Sequence, residues 1–297
     1  MLNRRIFIGA SLTAWFGLLT ACSSGGDQPQ LTVGSKEFTE QYILGNMYEI
    51  ALDNAGFDAE YKVLASSNEN HEALLNGEID LYPEYTGTAL LSIFNLEFDP
   101  GQTADQVYDT VEEAYNAEGL AILEPTSFNN TYALMMTQER ADELDVKTVS
   151  DLSTKAGELK LGTDREFPTR ADGLVGLQEV YGGFNFDDVV VLDAGLLYAG
   201  LEENEIDVTT GYGTDGQIDA FDLVVLEDDK GFWPPYPVVP VVRQEVLDEH
   251  PEIADVLNPI AALLDSETMQ QLNWEVAGNS REPDEVAREF LETNGLL

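Results

Sequence analysis

An α/β chain folded as two similar lobes, each a mainly parallel sheet flanked by helices, is what three observations predict, with two hinge crossings joining the lobes. First, Glu78-Ile79-Asp80-Leu81-Tyr82-Pro83-Glu84-Tyr85-Thr86-Gly87-Thr88 is echoed by Glu205-Ile206-Asp207-Val208-Thr209-Thr210-Gly211-Tyr212-Gly213-Thr214, and the constant offset places Tyr85 over Tyr212. Second, a weaker echo lies upstream in the same order, Gly34-Ser35-Lys36-Glu37-Phe38 against Gly162-Thr163-Asp164-Arg165-Glu166-Phe167. Two copies are too few for a solenoid, so the repeat reads as one α/β unit used twice. Third, strand and helix patterns alternate along each half, which implies parallel pairing with helices on both faces.

The elements follow in order. Leu31-Thr32-Val33 is a short strand leading to Gly34. A helix begins near Thr39, because Ile43, Leu44, Met47, Ile50 and Ala51 recur at helical spacing, and Asn54-Ala55-Gly56 ends it. Tyr61 to Leu64 is a second strand, Glu72 to Asn76 a helix stopped by Gly77, Ile79 to Tyr82 a third strand, and Val107 to Glu118 another helix. The second lobe opens near Thr131 to Thr137. Its strands are Lys160 to Gly162, Val189 to Leu192 and Ile206 to Thr209, and its helices Leu174 to Tyr181 and Leu197 to Glu203. Leu223 to Leu226 leads through Phe232-Trp233-Pro234-Pro235-Tyr236 into Val238 to Arg243, which reads as the return crossing. Residues 245–297 are mostly helical and complete the first lobe. Residues 31–131 with 236–297 then form lobe 1, and 132–235 form lobe 2.

At the N-terminus Arg4 and Arg5 precede an apolar run from Ile6 to Leu19, with no acid before Asp27. That pattern is an export signal over residues 1–21. The run is short of the ~20 apolar residues of a membrane span. Leu19-Thr20-Ala21-Cys22 fits a lipobox, so the single cysteine is the expected lipid anchor, followed by a polar tether over residues 22–30. Asn3-Arg4-Arg5-Ile6-Phe7-Ile8 also resembles a twin-arginine signal. With one cysteine there is no internal disulfide, and the core must hold by packing.

Acids outnumber bases 56 to 14, for a net charge of −42. Such a surface repels nucleic acid, which is bound by Lys and Arg. A hydrophobic fraction of 43% argues against disorder. The composition suits a halophilic source, because at about 1 M salt the screening length falls to ~3 Å and self-repulsion is suppressed.

Six segments carry a family resemblance: Gly34-Ser35-Lys36-Glu37-Phe38-Thr39-Glu40, Tyr82-Pro83-Glu84-Tyr85-Thr86-Gly87-Thr88, Asn130-Thr131-Tyr132-Ala133-Leu134, Glu166-Phe167-Pro168-Thr169-Arg170-Ala171-Asp172-Gly173, Thr214-Asp215-Gly216 and Pro234-Pro235-Tyr236. In this order the chain resembles the glycine betaine and choline (osmoprotectant) substrate-binding proteins of ABC uptake systems, over essentially all of residues 31–297. The resemblance implies a two-lobed periplasmic-binding-protein-like fold of type II. It implies a small quaternary-ammonium ligand in an aromatic cage of Tyr85, Tyr132, Tyr212 and Tyr236. It also implies Lys36, Arg170 and Thr88 on the ligand's carboxylate, with a backbone contact at Asn130. A trimethylammonium group has no N–H to donate, and the negative faces of aromatic rings both attract and dry it. Arg170 offers a bidentate pair and Lys36 a point charge.

Tyr82 is an alternative ring, ranked below Tyr85 because Tyr212 echoes Tyr85. Trp233 reads as a packing residue. Asp172 either orients Arg170 or caps the following helix. Thr88, with Lys36 and Arg170 present, favours a carboxylate ligand over choline, whose hydroxyl tail would leave two cations unpaired.

The expected partners are an ABC permease with a separate ATPase subunit, since no phosphate-binding loop is present, and the membrane through Cys22. The chain is expected to be monomeric, outside the cytoplasm, without cofactor or metal. A hydrolase fits poorly. His71 and His250 fall in expected polar surface, with no Gly-x-Ser-x-Gly elbow and no metal spacing. A binding protein serving a chemoreceptor is the other alternative, and a choline- or carnitine-type binder the nearest.

Overall fold

The computed structural model describes residues 28–165, 167–170, 172–192 and 194–297. The expected leader, Cys22 and most of the tether lie outside them.

Among the described residues ten strands form two five-stranded sheets. The first takes β1 (Gln30–Lys36), β2 (Asp58–Leu64), β3 (Leu81–Tyr85), β4 (Leu120–Ile122) and β10 (Val238–Arg243), in the order β2-β1-β3-β10-β4. The second takes β5 (Tyr132–Thr137), β6 (Lys160–Thr163), β7 (Asp188–Val191), β8 (Val208–Tyr212) and β9 (Leu223–Val225), in the order β7-β6-β8-β5-β9. Position by position the two orders match, as the repeat requires. β1 pairs in parallel with β2 and β3, and β6 with β7 and β8. One strand in each sheet runs against its neighbours: β10 against β3 and β4, and β5 against β8 and β9. These are the strands the chain enters on crossing from the other sheet. The fold is the expected two-lobed α/β architecture, each sheet flanked by helices.

Local chemistry sets the boundaries. The helix Thr39–Asn54 buries Ile43, Leu44, Met47, Ile50 and Ala51, the stripe its spacing predicts. Because C-terminal helices Glu252–Leu263, Ser266–Ala277 and Pro283–Thr293 pack over it, it is enclosed on several sides. The second helix starts earlier than the apolar pattern suggests, at Ser67, because the Ser66 side chain accepts from the Glu69 N–H and caps it. Gly77 ends it with φ +69, a left-handed turn that glycine adopts without steric cost. The second lobe has its own core, around Leu134, Val149, Leu161, Phe167, Leu177 and Val208.

Several expectations need correction. Val238–Arg243 is itself a sheet strand, and the crossing lies before it. β3 runs Leu81–Tyr85 rather than Ile79–Tyr82, through a proline. Pro83 stands directly opposite Pro240 in β10, and the ladder survives because neither ring needs a donor there. Pro240 turns its carbonyl toward Leu123 N–H, and the Pro83 carbonyl accepts from Gln41 Nε2 at 3.0 Å. The short strand β4 has no counterpart in the sequence reading. β1 runs on past the expected Val33 and ends at Lys36. His71 is not surface: its side chain is 12% exposed, 2.9 Å from Glu118 and edge-on to Phe94.

Candidate functional site

A cleft of about 850 Å³ opens between the carboxyl ends of the two sets of parallel strands, where open α/β sheets place ligands. Lys36, Tyr85, Thr88 and Asn130 line it together with Tyr132, Arg170, Tyr212 and Tyr236. All eight ligand positions inferred from the sequence therefore lie on one surface. Tyr82 is fully buried and does not line it.

The strand register explains the ring positions. Tyr132 and Tyr212 are directly opposed residues of β5 and β8, so their side chains leave the sheet on one face. Their ring centroids are 5.1 Å apart, with planes 30° apart. Tyr212 is 43% exposed, toward the cleft. Trp233 packs behind Tyr132 at 6.4 Å in the second core, and its Nε1–H donates to the Asp172 carbonyl at 2.8 Å. On the other lobe Tyr85 ends β3 and stacks on Phe38 at 6.2 Å. Tyr236 lies over Gly87, where any Cβ would fall 2.7 Å from its ring carbons, so only glycine admits the ring.

The two crossings run side by side. Tyr236 N–H donates to Asn129 Oδ1 at 2.7 Å, and Asn130 N–H to the Tyr236 carbonyl at 3.3 Å. Burial pushes the hydroxyls of Tyr85, Tyr132, Tyr212 and Tyr236 above the ordinary tyrosine range, so all four remain neutral phenols near neutral pH.

A carboxylate stands behind one tyrosine in each lobe. Glu84 is fully buried; its Oε1 accepts from the Tyr85 N–H at 2.7 Å and its Oε2 from Tyr82 Oη at 3.1 Å. Asp215, largely enclosed, accepts from the Tyr212 N–H at 2.8 Å and from Tyr198 Oη. Burial raises Asp215 to about 6, against the lowering effect of these two bonds. The two acids differ in one respect. Glu84 Oε1 also holds Lys36 Nζ at 2.6 Å, whereas among the described residues no ion pair joins Asp215 to a base.

A third acid, Glu40, is 2% exposed and takes three donors: Tyr85 Oη and Asn130 Nδ2 at 2.7 Å on Oε1, and Asn273 Nδ2 at 3.0 Å on Oε2. Asn273 also donates to the Thr214 carbonyl at 2.8 Å, so helix Ser266–Ala277 bridges the lobes. Gln270 Nε2 adds a bond to the Gly213 carbonyl at 2.8 Å, and Gly216 packs against the Trp274 backbone.

Arg170 makes a bidentate pair with Asp172, Nε–Oδ1 and Nη2–Oδ2 both 2.6 Å, and lies 5.8 Å over the Tyr132 ring. Asp172 thus orients Arg170, the first of its two expected roles. Contrary to expectation, choline would strand no bare cation here, because Lys36 already faces Glu84 and Arg170 already faces Asp172.

Phe38, Glu40, Glu84, Asp215 and Asn273 are the site residues that sequence reasoning did not single out. The first four stand inside the quoted segments, and that was the available signal. Asn273 had none. Among the described residues no group of His, Cys, Asp and Glu could hold a metal, and no helix is long and apolar enough to cross a membrane.

Residues 29–293 match the family described as the substrate binding domain of the ABC-type glycine betaine transport system. The chain belongs to that family. A glycine-betaine-binding protein of Pseudomonas aeruginosa is 38% identical to it over 277 residues, 90% of this chain and 88% of the relative. The carnitine transport binding protein OpuCC of Listeria monocytogenes is 33% identical over 289 residues, 94% of this chain and 92% of the relative. A crystal structure described as a glycine betaine/carnitine/choline ABC transporter superposes with a TM-score of 0.83 at 33% identity, covering 90% of this chain and 99% of the other. The chain is therefore a substrate-binding protein of an ABC-type transport system and not an enzyme.

Proposed function

We propose that this protein captures a carboxylate-bearing quaternary-ammonium solute, glycine betaine or proline betaine, outside the membrane for osmoprotective uptake. The observation that carries the reading is the meeting of four tyrosines, two bases, Thr88 and Asn130 on one cleft. Tyr85, Tyr132, Tyr212 and Tyr236 form the cage. Lys36, Arg170 and Thr88 face the carboxylate, and the Asn130 backbone meets the methyl groups. A desolvated cation–π contact contributes up to ~2 kcal/mol. Four rings and a clamp then reach the ~8 kcal/mol of a micromolar complex after the cost of ordering.

In this reading residues 31–131 with 236–297 close against 132–235 about the paired crossings at Asn130 and Tyr236. The closed monomer docks on a permease whose ATPase is a separate subunit. Export follows the twin-arginine signal, and lipidated Cys22 tethers the chain at the extracytoplasmic face of the cell membrane. The acidic surface adapts it to a salt-rich medium.

A second reading is a choline- or carnitine-type binder: the ion pairs of Lys36 and Arg170 leave the uncharged tail of choline at little electrostatic cost, while carnitine, which carries a carboxylate, would use the same clamp as the betaines. Titration calorimetry of the mature chain carrying Cys22→Ser, in about 2 M potassium chloride to screen self-repulsion, separates the two. Tight glycine betaine binding that is lost in Tyr212→Ala and weakened in Arg170→Ala supports cage and clamp. Preference for choline keeps the cage and removes the clamp. A folded sample that binds neither refutes the ligand class.

A further inference from the structure

We propose that Glu84 sets the charge class of the ligand: by holding Lys36 as an internal ion pair, it lets the cleft accept quaternary ammonium ions with an uncharged tail beside zwitterions. The proposal rests on the quaternary-ammonium reading of the cleft.

The geometry of Glu84 is fixed. Its side chain is fully buried, and three donors hold it: Lys36 Nζ at 2.6 Å, Tyr85 N–H at 2.7 Å and Tyr82 Oη at 3.1 Å. It cannot swing away to release Lys36. An ammonium has three N–H bonds. Lys36 directs one to Glu84 and one to Ser67 Oγ at 3.1 Å, while Nζ lies 4.5 Å from the Tyr85 ring centroid. A ligand carboxylate reaching Lys36 must therefore share one cation with a second, buried carboxylate. Like charges brought together this way cost several kcal/mol in a closed site. A hydroxyl tail meets no such repulsion. Lys36 then acts as a hydrogen-bond donor more than as a net charge.

The repeat shows that this ion pair is not a demand of the fold. Gly211 stands in the second lobe where Glu84 stands in the first, and Asp164 echoes Lys36. The equivalent strand end, β8, is built without either member of the pair. Glu84 and Lys36 thus occur together in one copy of the unit alone, Lys36 at the cleft and Glu84 behind Tyr85.

The test measures dissociation constants for glycine betaine and for choline by calorimetry on the mature Cys22→Ser chain, in the wild-type background and with Glu84→Gln, Lys36→Met and both together. Glu84→Gln keeps the shape and removes the charge. Its ratio of choline to glycine betaine dissociation constants should rise about tenfold or more, a difference of ~1.4 kcal/mol. Lys36→Met should move the ratio the other way, and the double variant should return it to within about threefold of wild type. A ratio unchanged in the folded single variants, or both affinities falling together, would leave Glu84 a purely structural residue and overturn the proposal. If Glu84→Gln does not fold alone, the double variant decides: with no charge effect of Glu84 its ratio stays at the Lys36→Met value, and the proposal falls. A wild-type chain that binds neither ligand overturns the underlying reading instead, and the inference falls with it.

Discussion

Asp215 gives the sharpest physical test of the site. Its carboxyl lies under the Tyr212 backbone, and burial carries it from the ordinary 3.8 up to about 6, with Glu40 adding to the rise. The unfolded chain releases this proton near 3.8 and the folded chain near 6. Between those values the folded state holds one more proton, so stability falls as pH rises through the window. The separation corresponds to ~3 kcal/mol, fully lost above the folded value. Asp215→Asn carries no titrating group. The stability of the variant minus that of the wild type should therefore grow by about 3 kcal/mol between about pH 3.5 and about pH 7. Taking the difference cancels the other acids. The assay is urea unfolding at stepped pH in about 2 M potassium chloride. A difference that stays flat across the range would show that the carboxyl titrates normally and that the enclosure argument is wrong. A ligand cation should also prefer the ionised form. Choline affinity should then rise with pH through about 6 in the wild type and stay level in Asp215→Asn.

Other expectations follow from the same geometry. Tyr212→Ala removes a ring of the proposed cage and should weaken a quaternary-ammonium ligand by about thirtyfold (~2 kcal/mol) in calorimetry, while Tyr212→Phe should keep most of the affinity. Gly216→Ala would put a Cβ 2.5 Å from the Trp274 nitrogen and 2.7 Å from its Cα. Overpacking of that kind costs ~1–3 kcal/mol, read as a lower unfolding midpoint without ligand. Asn273→Ala strips a donor from both Glu40 and the Thr214 carbonyl. The loss should be ~1–3 kcal/mol in unfolding, and the change in Tyr85 surroundings should weaken ligand binding as well.

Much of the architecture was legible because the chain states it twice. The echo of Tyr85 in Tyr212 matches the equivalence of β3 and β8 in the two sheets, and the apolar spacing of Ile43, Leu44 and Met47 gives the central helix directly. The strand ends were harder to read. Pro83 hides β3, since a proline argues against a central strand until an opposed proline makes the missing donor harmless. β4 is three residues long and offers no alternation to detect.

The cleft residues were found through short motifs, but their electrostatics was not. With 56 acids in the sequence, nothing in the pattern distinguishes Glu40, Glu84 or Asp215 from a solvated carboxylate. Only burial and partners do, and these come from residues such as Asn273 that are remote in sequence. The ion pairing of Lys36 and Arg170 was invisible for the same reason, and it weakens the case against choline built on those two residues alone.

The placement of the tryptophans has a practical consequence. Trp15 lies outside the described residues, which hold two indoles. Trp233 stands behind Tyr132 in the cleft wall, and Trp274 rests on Gly216 and edge-on to Phe221 at the seam between the lobes. In the proposed reading one indole would sense the ligand through Tyr132, and the other the approach of the lobes. Emission spectra of single Trp→Phe variants would resolve capture and closure as separate signals in time, from a protein that needs no attached dye.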